Sequence, residues 1–259
     1  MSPPSDGRAA LDYRPEELLI CTIADLLSGV RHIAVGVSSP IPGSAALLTR
    51  ELSGGRTKVS VLNSDNLQFW TDGGVEIFDC AGQGRIDAFF LGGGQIDGQA
   101  NINLVGVSDY PQQKVRWSGS FGSAYLYYLV PRVILFREEH TRRVMVNKVD
   151  FVSAPGSSPD NVHRPGGPHA MVTGRCVFDF DKERRRFRLK SVHPGHTVEE
   201  VRDHTGFDFD LPETQSETPA PTTELLDLIR NKISRRIADP YPKFAAQVFG
   251  VGAPAAQAS

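Results

Sequence analysis

The chain has 259 residues, which is enough for one large α/β domain with a well-filled core. Its composition, 40% hydrophobic and 22% charged, is that of an ordinary globular protein. A formal net charge of -2 gives no electrostatic reason to expect nucleic acid or an anionic membrane as partner. No apolar stretch reaches the roughly 18 residues that a membrane helix needs.

The first hundred residues predict an alternation of helices and short apolar strands. The expected helices cover 15–27, 38–52 and 74–84, and the expected strands cover 31–37, 58–62 and 86–92. Such alternation favours an α/β fold with an open, mainly parallel sheet and helices on both faces.

The second half predicts more strands, with a loop over 156–169. Expected helices are 123–130, 197–206 and 221–233; expected strands are 132–136 and 142–153, and 170–193 should form a β-hairpin turning near Asp181–Arg185. We therefore expect a flexible N-terminus over 1–14, a single domain over 15–240 and a flexible tail over 241–259.

The cysteines are few, odd in number and widely spaced: Cys21, Cys80 and Cys176. This spacing argues against a disulfide framework and a clustered zinc site, and it favours a reducing compartment. The N-terminus has no basic segment followed by an apolar run, so we expect no signal peptide and a cytoplasmic protein. His193, His196 and His204 lack a Cys or carboxylate at a recognised ligand spacing, and we expect no metal site.

Two glycine-rich loops are candidates for a ligand site. Gly92–Gly94 follow a predicted strand and precede Gln95, and Gly119–Gly122 precede a predicted helix. Glycine lets backbone N–H groups approach a ligand closely, and such groups can bind an anion or an oxyanion. The alternative is that both are ordinary turns, since neither a dinucleotide fingerprint nor a Walker motif is present.

Three motifs carry a resemblance to a known family. "FFLGGGQIDGQANINL", "NKVDFVSAPG" and "HPGHTVEEVRDHTGFDFDLP" are similar to the β subunits of class I CoA-transferases, in one order from about residue 16 to 235. The resemblance implies an open α/β subunit that pairs with a homologous α subunit, in an α2β2 or larger assembly, with the active site between them. It also implies that coenzyme A enters as part of the substrate and that no cofactor is bound permanently.

The catalytic glutamate of these transferases has no obvious counterpart. In the family it ends the strand equivalent to 58–62 and attacks the thioester, which needs a carboxylate that is both nucleophile and leaving group. Aligning the family's serine on Ser64 puts Asn63 at that position. A register shift of one or two residues would bring Asp65 there instead. The family's Gly-x-Gly-Gly loop also differs, because Phe121 replaces a glycine between Ser120 and Gly122.

These departures favour a divergent hydrolase or lyase over a transferase. The family contains a ring-cleaving CoA-thioester hydrolase of steroid catabolism and a decarboxylase. Asn63, Gln95, Gly93, Gly94 and the Gly119–Gly122 amides would then orient the carbonyl, while the partner subunit supplies the base. The alternatives are a true CoA-transferase, with Asp65 as nucleophile, and a non-catalytic subunit that completes a partner's site. No residue is assigned to CoA. The basic run 182–190 is interpreted as a solvated face, and the alternative is that it contacts the 3′-phosphate of CoA.

Overall fold

The computed structural model describes residues 12–252. The strands in chain order are β1 His32–Val35, β2 Lys58–Val61, β3 Ala88–Leu91, β4 Gln95–Ile96, β5 Ile102–Asn103, β6 Gly106–Val107, β7 Val115–Arg116, β8 Arg132–Arg137, β9 Pro168–Thr173, β10 Cys176–Asp181 and β11 Arg186–Val192. The helices are α1 Pro15–Leu26, α2 Pro40–Leu52, α3 Gly73–Gly82, α4 Ser123–Leu129, α5 Val198–His204, α6 Thr223–Leu228, α7 Ser234–Ile237 and α8 Pro242–Phe244, with π-helical turns at Ile229–Ile233 and Ala245–Phe249.

A seven-stranded sheet in the order β11-β10-β9-β8-β3-β1-β2 organises the domain. The five strands from β9 to β2 are parallel, and β10 and β11 add antiparallel edge strands. The predicted mainly parallel α/β fold is therefore confirmed. The chain leaves β1 for β2 on one side and then returns to β3 on the other. This reversal opens a crevice beyond the carboxyl ends of the strands, where such folds bind ligands.

Both faces of the sheet are buried, which explains why its strands are continuously apolar. Along β3, Phe89 and Leu91 join the core that contains residues of α3 and α4. Ala88 and Phe90 point to the opposite core, which contains residues of α1 and α2. The two-residue period of the strand thus distributes four consecutive apolar residues over two cores.

Helix termini follow the sequence signals. Pro15 begins α1, and the Glu17 carboxylate accepts a 2.8 Å hydrogen bond from the Arg14 N–H. Glu17 is buried and pairs with the Arg230 guanidinium at 2.7 Å, which ties α1 to the C-terminal helical region. Thr197 caps α5 through the Glu200 N–H, as the predicted N-cap requires.

One element prediction, the strand over 142–153, was wrong. Residues 142–153 are irregular, although Val144 and Met145 are fully buried, and their only backbone pairing with β4 is one bridge between Ile96 and Met145. The burial of Val144, Met145 and Val149 reflects packing beside the β4–β5 hairpin and not membership of a sheet. The predicted hairpin over 170–193 is confirmed: β10 and β11 pair antiparallel with the turn between Asp181 and Arg186, and β9 adds a third strand.

The C-terminal prediction also needs correction. Helical structure continues past residue 240 through α8 to Phe249, with Ala245 and Val248 buried. The described part of the predicted tail is therefore packed against the domain. Residues 1–11 and 253–259, on which the rest of both terminal predictions falls, lie outside the described residues.

Candidate active site

A cleft of about 1020 Å³ lies at the carboxyl ends of β1, β3 and β8. Its floor consists of the segments that follow these strands: Val37–Pro42, Gly92–Gly94 and Glu138–Glu139. Trp117 and the C-terminal residues Phe244, Gln247 and Val248 complete its walls. The volume suits a drug-sized organic ligand, and the position matches the reversal of strand order.

The three glycines permit close packing as well as access to the cleft. A Cβ atom on Gly94 would overlap the Trp117 ring, and one on Gly92 would lie 2.9 Å from the Phe136 carbonyl oxygen. On Gly93 it would lie 2.8 Å from the Ile102 side chain. The expected close approach to the glycine backbone is present, and the groups that approach it are Trp117, Phe136 and Ile102 of the protein itself. Contact of Gly93 and Gly94 with a substrate stays a prediction.

Gln95 belongs to a buried hydrogen-bond network. Its amide oxygen accepts from the Asn103 side chain at 2.7 Å and from the Asp150 N–H at 3.0 Å. Its amide nitrogen donates to the Asp150 carboxylate at 3.2 Å. Because these three bonds use both ends of the amide, this conformation favours a positioning role for Gln95 over direct contact with a carbonyl.

The other polar residues that follow the three glycines also have structural roles. The buried Asp97 carboxylate accepts from the Gln99 and Asn101 N–H groups at 3.0 and 3.1 Å. Asn103 is fully buried and its side-chain oxygen accepts from the Val105 N–H at 2.9 Å. The polar residues that follow the glycines therefore hold the β4–β5 hairpin in shape.

Asn63 and Asp65 lie in a turn at the end of β2. The Ser64 N–H donates to the Val61 carbonyl at 3.3 Å, so the strand has ended before Asn63. Asn63 has φ 65°, and both Asn63 and Asp65 are exposed. Neither residue therefore continues the extended backbone of β2. They are at the same edge of the sheet as the cleft but are not among its lining residues.

The loop Gly119–Gly122 is also outside the cleft lining. Gly119 has φ 98° and Phe121 has φ 29°, with the Phe121 side chain 84% exposed. Gly122 allows the Phe78 ring to pack against the loop, since a Cβ atom there would overlap it. The carbonyl of Ser120 accepts from the Ser123 N–H at 2.8 Å. An oxyanion role for Gly119, Ser120 and Gly122 stays a prediction.

Charged residues after β8 supply groups that the sequence motifs did not reveal. Glu139 pairs with Arg143 and, at 3.5 Å, with Arg137. Partial burial raises the pKa of Glu138, and repulsion from Glu16 adds to the effect. All five of these residues line the cleft. A carboxyl group with a raised pKa in a cleft can take up and release a proton near neutral pH more readily than an ordinary one.

Buried histidines elsewhere have structural roles. The His193 Nε2 donates to the Thr173 carbonyl at 2.9 Å, so its Nδ1 accepts from the Thr218 hydroxyl at 2.8 Å. Burial lowers the pKa of His193 to about 4 and that of His140 to about 3. Within residues 12–252, no group of three or more His, Cys, Asp or Glu is placed to hold a metal ion.

Most basic residues of the run 182–190 are paired with carboxylates. Arg184 and Arg186 both pair with Asp210, and Lys190 pairs with Asp179 at 3.3 Å. This arrangement is that of an ion-paired exposed hairpin. Over the described stretch 12–252, every helix is too short or too polar to cross a membrane.

Residues 17–204 match the coenzyme A transferase family. The chain belongs to this family. The match covers the crevice-forming strands β1, β2, β3 and β8 and ends in α5.

Three relatives are components of enzymes with different names. The chain is 29% identical to the B subunit of 3-oxoadipate CoA-transferase from Pseudomonas knackmussii over 226 residues, 83% of each chain. It is 33% identical to the B subunit of glutaconate CoA-transferase from Acidaminococcus fermentans over 151 residues, 56% of each chain. It is 32% identical to the IpdB subunit of the cholesterol ring-cleaving hydrolase from Rhodococcus jostii over 165 residues, 62% of this chain and 64% of that one.

Solved structures agree on the fold. Rhodococcus jostii RHA1 IpdAB matches with a TM-score of 0.73 at 26% identity, covering 85% of this chain and 94% of that chain. The decarboxylase AibA/AibB matches with a TM-score of 0.75 at 21% identity, covering 93% of this chain and all of that chain. The predicted β-subunit resemblance is confirmed by these comparisons.

Proposed function

We propose that this chain is the β-type subunit of a heteromeric enzyme that acts on an acyl-CoA thioester by hydrolysis or C–C cleavage, without a carboxylate acceptor. The observation that carries the proposal is Asn63. It stands exposed at the end of β2, where the family resemblance places the transferases' glutamate.

The chemistry of Asn63 is the main support. A carboxamide carries no nucleophilic carboxylate and cannot form the acyl anhydride that CoA transfer passes through. Its φ of 65° is a conformation that Asn tolerates better than most residues and that is frequent at functional sites. The turn thus keeps a conformation suited to presenting a side chain, while the residue presented is a hydrogen-bonding amide.

Other groups would supply the proton transfers. Glu138 lines the cleft with a raised pKa, which suits a general acid or base within this chain. Pairing with a homologous α subunit is supported by relatives that are named as B subunits and by IpdAB. Such a partner would approach the exposed turns at Asn63 and at Gly119–Gly122 and would contribute further catalytic groups.

Asp65 favours a second candidate, which is CoA transfer. Its carboxyl group is exposed in the same turn, two residues beyond Asn63. Transfer would require this carboxylate to attack the thioester and to carry CoA as a covalent intermediate. The names of two relatives, both CoA-transferases, also support this candidate.

The test uses the chain co-expressed with its α partner. The complex is offered acyl-CoAs with linear dicarboxylic and cyclic 2-oxo acyl groups, with and without an acceptor carboxylate, and free thiol and acyl products are followed. We expect acyl cleavage or thioester hydrolysis without the acceptor. Formation of a new acyl-CoA only in its presence would overturn the proposal and favour transfer through Asp65.

Variants separate a catalytic subunit from a silent one. Asn63→Ala and Glu138→Gln should each lower kcat by about 100-fold if these groups act on the reacting atoms. Asn66→Ala, an exposed asparagine in the same turn, is the matched control and should keep the wild-type rate. Unchanged turnover in both test variants would show that the chain only completes a partner's site.

A further inference from the structure

The C-terminal segment Asp239–Val248 crosses the edge of the sheet where the cleft opens. It lies outside the residues that match the family, 17–204, yet Phe244, Gln247 and Val248 line the cleft. A wall of the candidate active site is therefore built by a part of the chain that the family match does not cover.

Two hydrogen-bonding residues anchor the start of this segment to the loops after β2 and β1. The Asp239 carboxylate accepts from the Ser64 hydroxyl at 2.5 Å and from the Asn66 N–H at 3.3 Å. The Tyr241 hydroxyl donates to the Gly36 carbonyl at 2.9 Å. Burial raises the pKa of Tyr241 to about 12, so the phenol stays protonated as a donor. The segment is thus fixed to the turn that carries Asn63 and to Gly36, the residue that follows β1.

Packing contacts hold the rest of the Asp239–Val248 segment in place. A Cβ atom on Gly43 of α2 would lie 3.2 Å from the Tyr241 ring, so this glycine leaves room for the ring. Ala245 is fully buried, and the rings of Phe244 and Phe249 meet edge to face at 5.7 Å. The wider π-helical turn at Ala245–Phe249 is of a kind that often occurs at functional sites.

The chemistry of the wall suits an apolar organic group. Phe244 and Val248 present apolar surface, and Gln247 adds one uncharged amide. Lys243 is exposed and is not among the cleft-lining residues, so within the described residues this segment brings no cation to the cleft. Elsewhere in the cleft lining, Ile41, Phe90 and Leu104 are further apolar residues. Phosphate groups of CoA would find no charged partner on this wall, whereas an apolar acyl group would find a matching surface.

We propose that Asp239–Val248 forms a specificity wall, in which Phe244, Gln247 and Val248 limit the size of the acyl group that the cleft accepts. The inference rests on the proposed function, since it assigns the cleft to the acyl part of the thioester. Changing the volume of the wall should then change the preference between acyl groups more than it changes affinity for all of them.

The test measures binding, so that it does not depend on the reaction. Thioether analogues of a linear dicarboxylic and a bulkier cyclic acyl-CoA, in which CH2–S replaces the thioester carbonyl and sulfur linkage, are titrated calorimetrically into the α–β complex. Gln247→Trp narrows the cleft and Val248→Ala widens it. Lys243→Ala, on the same segment but outside the cleft, is the matched control. Thermal melting confirms that each variant is folded.

We expect Gln247→Trp to raise the Kd of the bulkier analogue about ten-fold more than that of the linear one. Val248→Ala should shift the ratio of the two Kd values in the opposite direction, and Lys243→Ala should leave it unchanged. An unchanged ratio in both folded cleft variants would overturn the specificity wall. Failure of the wild-type complex to turn over any acyl-CoA would instead overturn the proposed function, so the two failures are distinguishable.

Discussion

The β4–β5 hairpin and the β2 turn are both at the carboxyl edge of the sheet, but they are built in opposite ways. In the hairpin, Gln95, Asp97 and Asn103 are buried and their polar atoms bond to the protein itself. In the turn, Asn63 and Asp65 are exposed, and Asn63 has left-handed backbone geometry.

The difference separates a structural scaffold, the β4–β5 hairpin, from the proposed reaction site at the β2 turn. The glycine-rich motif carries much of the family resemblance, yet its side chains are occupied in holding the edge of the sheet. The β2 turn has a weaker motif and an exposed polar side chain. A buried and satisfied network is expensive to disturb, whereas an exposed turn can change its residue, and so its chemistry, with little loss of stability.

The largest expected effect on stability comes from a change in the β4–β5 hairpin. Asn103→Ala removes a fully buried amide and leaves the Gln95 oxygen and the Gly106 carbonyl short of a donor. We expect the free energy of unfolding to fall by about 3 kcal/mol, since buried polar groups lose their partners. Urea denaturation measures it, and a loss below about 1 kcal/mol would contradict the assignment of the hairpin as a rigid scaffold.

Buried His193 makes the free energy of unfolding depend on pH. Its pKa in the folded state is about 4, below the ordinary 6.5, so only the unfolded chain binds the proton as the pH falls through 6.5. Stability is therefore lost between pH 6.5 and pH 4, by about 3 kcal/mol for this residue. We expect His193→Gln to have a flatter stability profile than wild type over this range. Parallel profiles in denaturation at several pH values would contradict it.

The glycines test how closely the scaffold is packed. Gly94→Ala places a methyl group into the Trp117 ring, and we expect it to destabilise the protein by about 1–3 kcal/mol. Gly74→Ala is the matched control, because nothing lies within 4 Å of its Cβ position in α3. The control should be neutral or slightly stabilising in thermal melts. Equal effects of the two changes would mean that Trp117 moves aside freely.

The smallest expected effect on stability belongs to the turn. Asn63→Gly keeps the left-handed geometry without a side chain, so the free energy of unfolding should change by less than about 1 kcal/mol. Activity of the complex should nevertheless be lost, because the amide is gone. If Asn63→Gly kept full activity, the turn would be a connection only, and the contrast between the two regions would disappear.

The sequence predicts regular elements well where local and tertiary signals agree. The helices that begin at Pro15 and at Thr197 and the apolar strands of the parallel sheet follow from capping and burial on both faces. Residues 142–153 show the failure: their buried residues are held by contacts with β4 and Asp97, which are distant in sequence. Burial alone does not reveal whether a strand has a neighbour to pair with.

The residues that line the cleft were likewise only partly predictable from the sequence. The resemblance predicted Gly93 and Gly94, which line it, from a contiguous motif. Glu138, Trp117 and Val248 come from three separate segments, and only the fold brings them together. The Asp239–Ser64 bond joins residues 175 positions apart, and no local pattern indicates it.

The central claim is that this chain reacts without a carboxylate nucleophile of its own at the β2 turn. The most direct measurement is mass spectrometry of the chain, quenched during turnover of an acyl-CoA by the α–β complex. The account predicts an unmodified peptide over residues 62–66. A CoA thioester on this peptide, at Asp65, would contradict it and identify the enzyme as a transferase.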